Sequence, residues 1–368
     1  MRSLLNVAAL ALAMTASAAT AQPPAAPYKV LKTVKAGGDG GFDYIYADAA
    51  NRRLYIPRTA ANPRITVFDL DTLAPVGTIP NVNARGAVVD AKSGHGFSSS
   101  KPVAMWDAKT LGLIKTIDVQ GNPDGILADQ ANQRVYVFSH VAPNVTVINA
   151  AEGAVLGAFD LGGMPEQAAT DGKGRLYIDL EDKDQVAVVD AKTMAVTGKY
   201  GLEGKCGGPA GLALDAASHV LFVTCRMPAT MTVLNANTGA ILAVLPIGPG
   251  TDGATFNPAT KEAFSSNGGD GTLTVVKELS PTTFAVTQTV ATQVGAKVLT
   301  LDAKTNRILT DAAEYGPPPP PGAAPPAGGP PGGAGAPGGG PPGGGPPGGR
   351  PRRGPMLPDS FTILAVGK

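Results

Sequence analysis

The chain has 368 residues, a formal net charge of +1 and charged side chains at only 16% of positions. So sparse and balanced a charge excludes general attachment to nucleic acid or to an anionic membrane surface. Two cysteines, Cys206 and Cys225, are present, and in an exported chain they would enter an oxidising compartment.

At the start, Arg2 precedes an apolar run from Leu4 to Met14, and small residues end in Ala19, Thr20 and Ala21. That order reads as a secretory signal peptide over residues 1–21, with cleavage before Gln22. The apolar run is too short to stay as a membrane span. The expected location is therefore the periplasm or the medium, with no span left after cleavage.

From Tyr28 onward the chain is organised by a repeat. In the copy from Asn122 to Gly163, NPDGILAD is followed by a turn, then RVYVFSH, VTVINA and VLGAFDL. β-Branched and aromatic residues alternate with small or polar ones, and Gly, Asn, Asp or Pro fill the gaps, which predicts four short antiparallel strands. An acidic or amide residue closes each first strand: Asp48, Asp90, Asp129, Asp171, Asp215, Asn257 and Asp302. Their spacings of 42, 39, 42, 44, 42 and 45 residues define seven units. One four-stranded sheet cannot bury both of its faces alone, so units of this length must stack, and the expected fold is a seven-bladed β-propeller.

The last third strand, FTILAV, lies far downstream, and the chain ends at Lys368 without a fourth strand for blade seven. YKVLKTVKA, from Tyr28 to Ala36, precedes blade one and has the pattern of an outer strand. Its predicted role is to pair with the C-terminal strand and close the ring, removing exposed sheet edges. Between the second and third strands of blade seven, residues 316–358 are nearly all Pro and Gly, with Arg350, Arg352 and Arg353 near the end. Such a segment buries too little apolar surface to offset its ordering and lacks the strict Gly period of collagen, so it is expected to be a disordered surface loop. The propeller is thus expected to occupy residues 22–315, with the last strand in 359–368.

The segments YVFSHVAPNVTVINAAEG and LFVTCRMPATMTVLNANTG resemble the YVTN-type repeat of the YncE-like β-propeller family. The stretches GPAGLALDAASHVLFVTCR and LPIGPGTDGATFNPATKEAFSSNGGDGTLTVV look like an exported bacterial subgroup of that family. The resemblance covers essentially Tyr28 to Gly316 and Ser360 to Lys368. It implies an exported, seven-bladed binding or scaffold protein without established chemistry.

If the seven landmarks are equivalent, so are the residues five positions before them: Asp43, Arg85, Asp124, Glu166, Ala210, Asp252 and Lys297. They fall near the starts of the innermost strands, at one mouth of the channel, and all but Ala210 are charged. Two readings follow. Converging carboxylates suit a hard cation such as calcium, or an amine or sugar, with Asp124, Glu166 and Asp252 as metal ligands and Asn267 adding an amide oxygen. Alternatively, Lys297, Asp43, Arg85 and Asp124 neutralise one another as a chain of ion pairs, leaving Glu166 and Asp252 less compensated. A second ring at the ends of the second strands includes Arg58, Cys225 and Asn267, and His140 and Arg226 one residue further on extend a polar pocket at the same mouth. Cys206 and Cys225 are brought together by hairpin geometry, which favours a disulfide over a metal pair or redox couple.

No haem attachment motif, nucleophile elbow or HExxH is present. His95, His140 and His219 are scattered and expected in loops or turns, and Trp106 is expected in blade packing. The leading functional reading is a monomeric binding or scaffold protein for a protein, glycan or small polar ligand. The alternative is a metal-assisted hydrolase of the lactonase kind, which would use channel carboxylates to hold a calcium-like ion. A redox module is a third class, with no cofactor motif behind it.

Overall fold

A computed structural model describes residues 26–59, 61–317 and 354–368. The expected signal peptide and residues 318–353 of the expected insertion lie outside the described residues. Seven four-stranded antiparallel sheets form the predicted propeller. Six blades run consecutively from inner to outer strand, and the seventh has the order predicted from the orphan strand. In blade 7, the C-terminal strand Thr362–Gly367 pairs with Arg307–Ala312 on one side and with the N-terminal strand Lys29–Lys35 on the other.

The landmark residues owe their regular spacing to turn chemistry. Six of them end an innermost strand and Asp171 directly follows one, and each accepts a backbone N–H from the turn, as in Ala50 to Asp48 at 3.1 Å and Ala259 to Asn257 at 3.0 Å. A short carboxylate or amide bonded to its own backbone two residues on is the Asx turn that Asp and Asn favour. The residue before each second strand is left-handed, including Arg52, Gly94, Gln133 and Lys261. His219, with φ of 55°, is one of these turn residues.

Alternation along the strands sends side chains to opposite neighbours. In blade 1, Leu54 and Ile56 pack towards blade 7 while Tyr55 packs towards blade 2. The main apolar clusters therefore lie between consecutive blades rather than within them. Trp106 is fully buried between blades 1 and 2, its ring 5.9 Å from that of Tyr55. Its strand partner is Gly96, where a Cβ would stand 2.1 Å from the indole, so the departure of HGFSSS from the usual second-strand pattern makes room for the tryptophan.

The insertion leaves and re-enters through a tied neck. Gly316 N–H donates to Pro355 O at 2.9 Å, Leu357 N–H donates to Glu314 O at 2.8 Å, and Tyr315 bridges Met356. Cys206 and Cys225 form a disulfide between the edge of blade 5's first strand and its second strand, with Cα atoms 5.1 Å apart at a sequence separation of 19. Replacing Cys225 by serine is expected to lower the unfolding free energy by about 3 kcal/mol, the loop-closure contribution for a ring of this length. Urea unfolding of the parent and the Cys225→Ser variant, each with and without reductant, checks this: reductant should destabilise only the parent.

Candidate functional site

The charged positions expected at the mouth converge there. In blades 3, 4, 5 and 6 the pairing of the first strand with the second slips at Asp124, Glu166, Ala210 and Asp252, respectively. A bulge of this kind re-aims side chains that a regular strand would point at the neighbouring blade. Asp43, Arg85 and Lys297 reach the same place from the loops just before their strands.

Together with two second-strand ends, these residues form a closed circuit of opposite charges. Lys297 Nζ is 3.0 Å from Asp43 Oδ1, and Asp43 Oδ2 is 3.3 Å from Arg85 Nη1. Arg85 Nε stands 3.0 Å from Asp124 Oδ1 as an ion pair rather than an aligned hydrogen bond. His140 Nε2 is shared between Asp124 Oδ2 at 3.2 Å and Glu166 Oε2 at 3.3 Å. Arg226 Nη2 then joins Glu166 Oε1 at 2.8 Å to Asp252 Oδ1 at 2.5 Å, and its other terminal nitrogen contacts Glu181. Lys297 also pairs with Asp252, which completes the circle.

Glu166 and Asp252 are thus compensated by Arg226, which fills the gap left by the uncharged Ala210. Sequence reasoning placed Arg226 and His140 near the pocket but gave neither a place in the circuit. Blade 5's second strand, Val220–Met227, runs longer than its counterparts, and that extension carries Arg226 to the ring. The carboxylates expected to share a metal are divided: Asp124 and Glu166 hold His140, while Asp252 holds Arg226 and Lys297. Ligand atoms of Asp124, His140 and Glu166 still lie within 4.8 Å of one another.

Arg58 and Asn267 stand apart from the circuit. Arg58 is buried, donates to the carbonyls of Gly37, Gly38 and Gly40 at 3.2–3.3 Å, and stacks 3.8 Å above the Phe361 ring. It anchors the loop that follows the closing strand. The buried Asn267 amide engages the hydroxyls of Ser265, Thr272 and Thr274 inside blade 6.

Beneath the ring, two side chains cross the channel. Tyr44 donates from its phenol to Glu166 O at 3.0 Å, reaching from blade 1 to blade 4. The Gln167 carbonyl oxygen accepts from Leu212 and Ala254 N–H at 2.9 Å, and its nitrogen donates to Ala254 O at 3.2 Å, joining blades 4, 5 and 6. Gly125 is needed for this closeness, because a Cβ there would meet Glu166 O at 2.6 Å.

Burial and pairing compete in setting the charges. Burial raises Glu166 to about 7 in spite of its hydrogen bond with His140. Burial also works on Asp124, but the His140 hydrogen bond and the Arg85 charge outweigh it and hold that carboxyl below its usual range. Hydrogen bonds to Asp124 and Glu166 lift His140 to about 10, so it serves as a cation at neutral pH. Two more buried carboxyls belong to second strands just outside the circuit: burial pushes Asp179 well up and Asp311 to about 8. Among the described residues, neither Asp311 oxygen nor Asp179 Oδ2 has a hydrogen-bond partner.

No protein-family model matches the sequence, and no curated relative matches it. Solved propellers are similar in shape. A chain of the mitotic checkpoint complex has a TM-score of 0.66 at 12% identity, covering 83% of this chain and 96% of its own. The RRP9 WD40 repeats reach 0.67 at 11% identity, covering 92% and 97%. U3-55K reaches 0.64 at 12% identity, covering 78% and 92%. At such identities the likeness shows the propeller fold alone.

His140 and Glu166 both bind protons more tightly in the folded chain than in the unfolded one, so both make stability fall as pH rises. The Glu166 contribution is lost between its ordinary 4.5 and about 7, and that of His140 between its ordinary 6.5 and about 10. Urea midpoints measured from pH 5 to pH 10 should therefore decline, and His140→Gln should flatten the decline above about pH 6.5. An unchanged slope in that variant would place the titration elsewhere.

Proposed function

We propose that this chain is an exported bacterial β-propeller of the YncE-like kind that works as a binding protein, presenting the charged mouth to a protein, glycan or small polar ligand. The proposal includes removal of residues 1–21 on export and action as a monomer in the periplasm or medium. The single observation that supports binding over catalysis is the closure of the ion-pair circuit. Each carboxylate that a hydrolase would need for a metal already faces a cation on either side. A lactonase-type enzyme must hold its ion with those same oxygens.

The calcium-dependent hydrolase keeps one specific observation in its favour, the proximity of Asp124, His140 and Glu166. Held between two carboxylates, however, His140 carries a proton where a metal ligand needs a free lone pair. After exhaustive EDTA treatment, calcium is expected to leave thermal unfolding unchanged. At about 100 times its Kd, a bound ion would add about 2.7 kcal/mol. A calcium-dependent rise that Glu166→Ala abolishes would favour the hydrolase.

The binding reading is tested in living cells with a photo-crosslinking amino acid at Val294, beside the mouth, or at Lys173, on the opposite face. Discrete adducts from Val294 and none from Lys173 are expected. No adduct from the mouth under any growth condition would remove the support for a binding role.

A further inference from the structure

The loops between second and third strands, and those leading into each first strand, form one face around the circuit. The remaining turns form the opposite face. The circuit is balanced, but the surface around it is not. Exposed carboxylates crowd the mouth-side loops, Asp39, Asp118, Glu203, Asp270, Glu314 and Asp359 among them. Exposed cations there are fewer, among the described residues: Lys35, Lys101, Lys183, Lys205 and Lys199, whose ammonium lies beside the Gly162 loop. The opposite face reverses the sign: Lys92, Lys109, Lys173, Arg175, Lys192 and Lys304 are exposed, against Asp71 and Glu152. Among the described residues the two faces are thus oppositely charged.

Apolar exposure is segregated in the same direction. Val141, Met227 and Val294 are 57%, 68% and 64% exposed, more than nearly all the exposed apolar side chains of the outer strands. Each stands close in sequence to a cation of the circuit, namely His140, Arg226 and Lys297. Met164 and Leu357 extend the same face; among the described residues, the opposite face has Leu279 at a hairpin end, with Val76, Leu113, Ile114, Val155 and Leu156 on the outer strands at its rim. Apolar side chains exposed around a polar centre give a partner surface to bury beside the charges.

The structure assigns this face to a basic polypeptide partner, one that presents lysine or arginine side chains together with apolar ones. The assignment rests on the binding role proposed above and specifies the partner's chemistry. An acidic field steers cationic partners and repels acidic ones, while the desolvated apolar contacts supply affinity. A second copy docking through its basic face is the less suitable occupant. That face would bring the right charge, but its exposed apolar side chains other than Leu279 stand on the outer strands at its rim rather than on the loops that would meet Val141, Met227 and Val294.

The test uses the protein purified after export and fluorescent peptides read by anisotropy. A peptide alternating arginine and leucine is expected to bind, with Kd rising about tenfold or more between about 50 and about 300 mM salt. A peptide alternating arginine and serine should bind at least about tenfold more weakly, and one alternating glutamate and leucine should not bind. Glu203→Gln with Glu314→Gln, and separately Val141→Ser with Met227→Ser, should each weaken the first peptide by about fivefold or more. These are exposed sites, so folding is spared, and Lys173→Gln with Lys192→Gln on the other face should leave binding unchanged. Equal binding to the parent and the mouth variants, or preference for the glutamate peptide, overturns the assignment. If no peptide binds while adducts still form from Val294, the basic-partner assignment falls and the binding role stands. If those adducts are absent as well, both fall.

Discussion

The pairing of Lys29–Lys35 with Thr362–Gly367 is the contact on which the ring depends. Seven twisted sheets bury their apolar faces only against one another, so one missing neighbour would expose two such faces and leave a strand edge open. The closing strand is held at its start as well as along its length. Tyr28 exchanges backbone hydrogen bonds with the Gln288 amide at 2.8 and 2.7 Å, and its phenol donates to Glu262 at 2.6 Å, where Lys368 also pairs. Both ends of the propeller chain thus meet on blade 6. The last strand sits in the middle of its blade, so the chain must return from the insertion in register before any ring exists, and the neck at Tyr315 and Met356 fixes where it returns.

Closure has an electrostatic consequence at the centre. Seven first strands begin around one axis, and six of the seven positions there carry charge. Charges brought so close and partly removed from water are tolerated only when each finds an opposite neighbour. Alternation around the mouth achieves this with groups from two strand layers, because the first strands alone supply four carboxylates and only two cations. The missing two come from His140 and Arg226. A buried circuit of this kind is weak evidence of added stability, since desolvation offsets much of the attraction. Its clearer effect is positional: each side chain has two partners in the circuit, and every link but Asp124–His140 joins different blades.

What was legible in the sequence was what local chemistry repeats. Asp48 and its equivalents recur because every blade needs the same turn, and their regular spacing led directly to blade number, ring closure and the charged first-strand positions. Arg226 and His140 were harder to place because counting from the landmarks puts Cys225 and Ser139 at the equivalent sites, one residue short of each. Arg58 occupies such an equivalent site yet turns away to hold three glycine carbonyls, a choice set by the loop after the closing strand and by Phe361. Asn267 is likewise taken up by hydroxyls of its own blade. The sign of each face was hidden for another reason: loops from one face alternate along the chain with turns from the other, so no stretch of sequence looks acidic or basic.

Segregated charge and a generic fold together locate where specificity resides. Propellers with 11–12% identity to this chain reproduce its shape over most of their length, so blade packing cannot carry anything particular to it. The packing is obliged to be apolar and repetitive, and the landmark carboxylates of the opposite face are spent on turns. The mouth-side loops are free of both duties. They vary in length and carry exposed methionine and valine beside a circuit whose charges are already paired. A partner therefore gains little from simple charge neutralisation at the centre and more from the acidic loops and apolar side chains around it. Long-range attraction orients the approach and short-range burial holds the complex, a division of labour that a uniformly neutral surface would not provide.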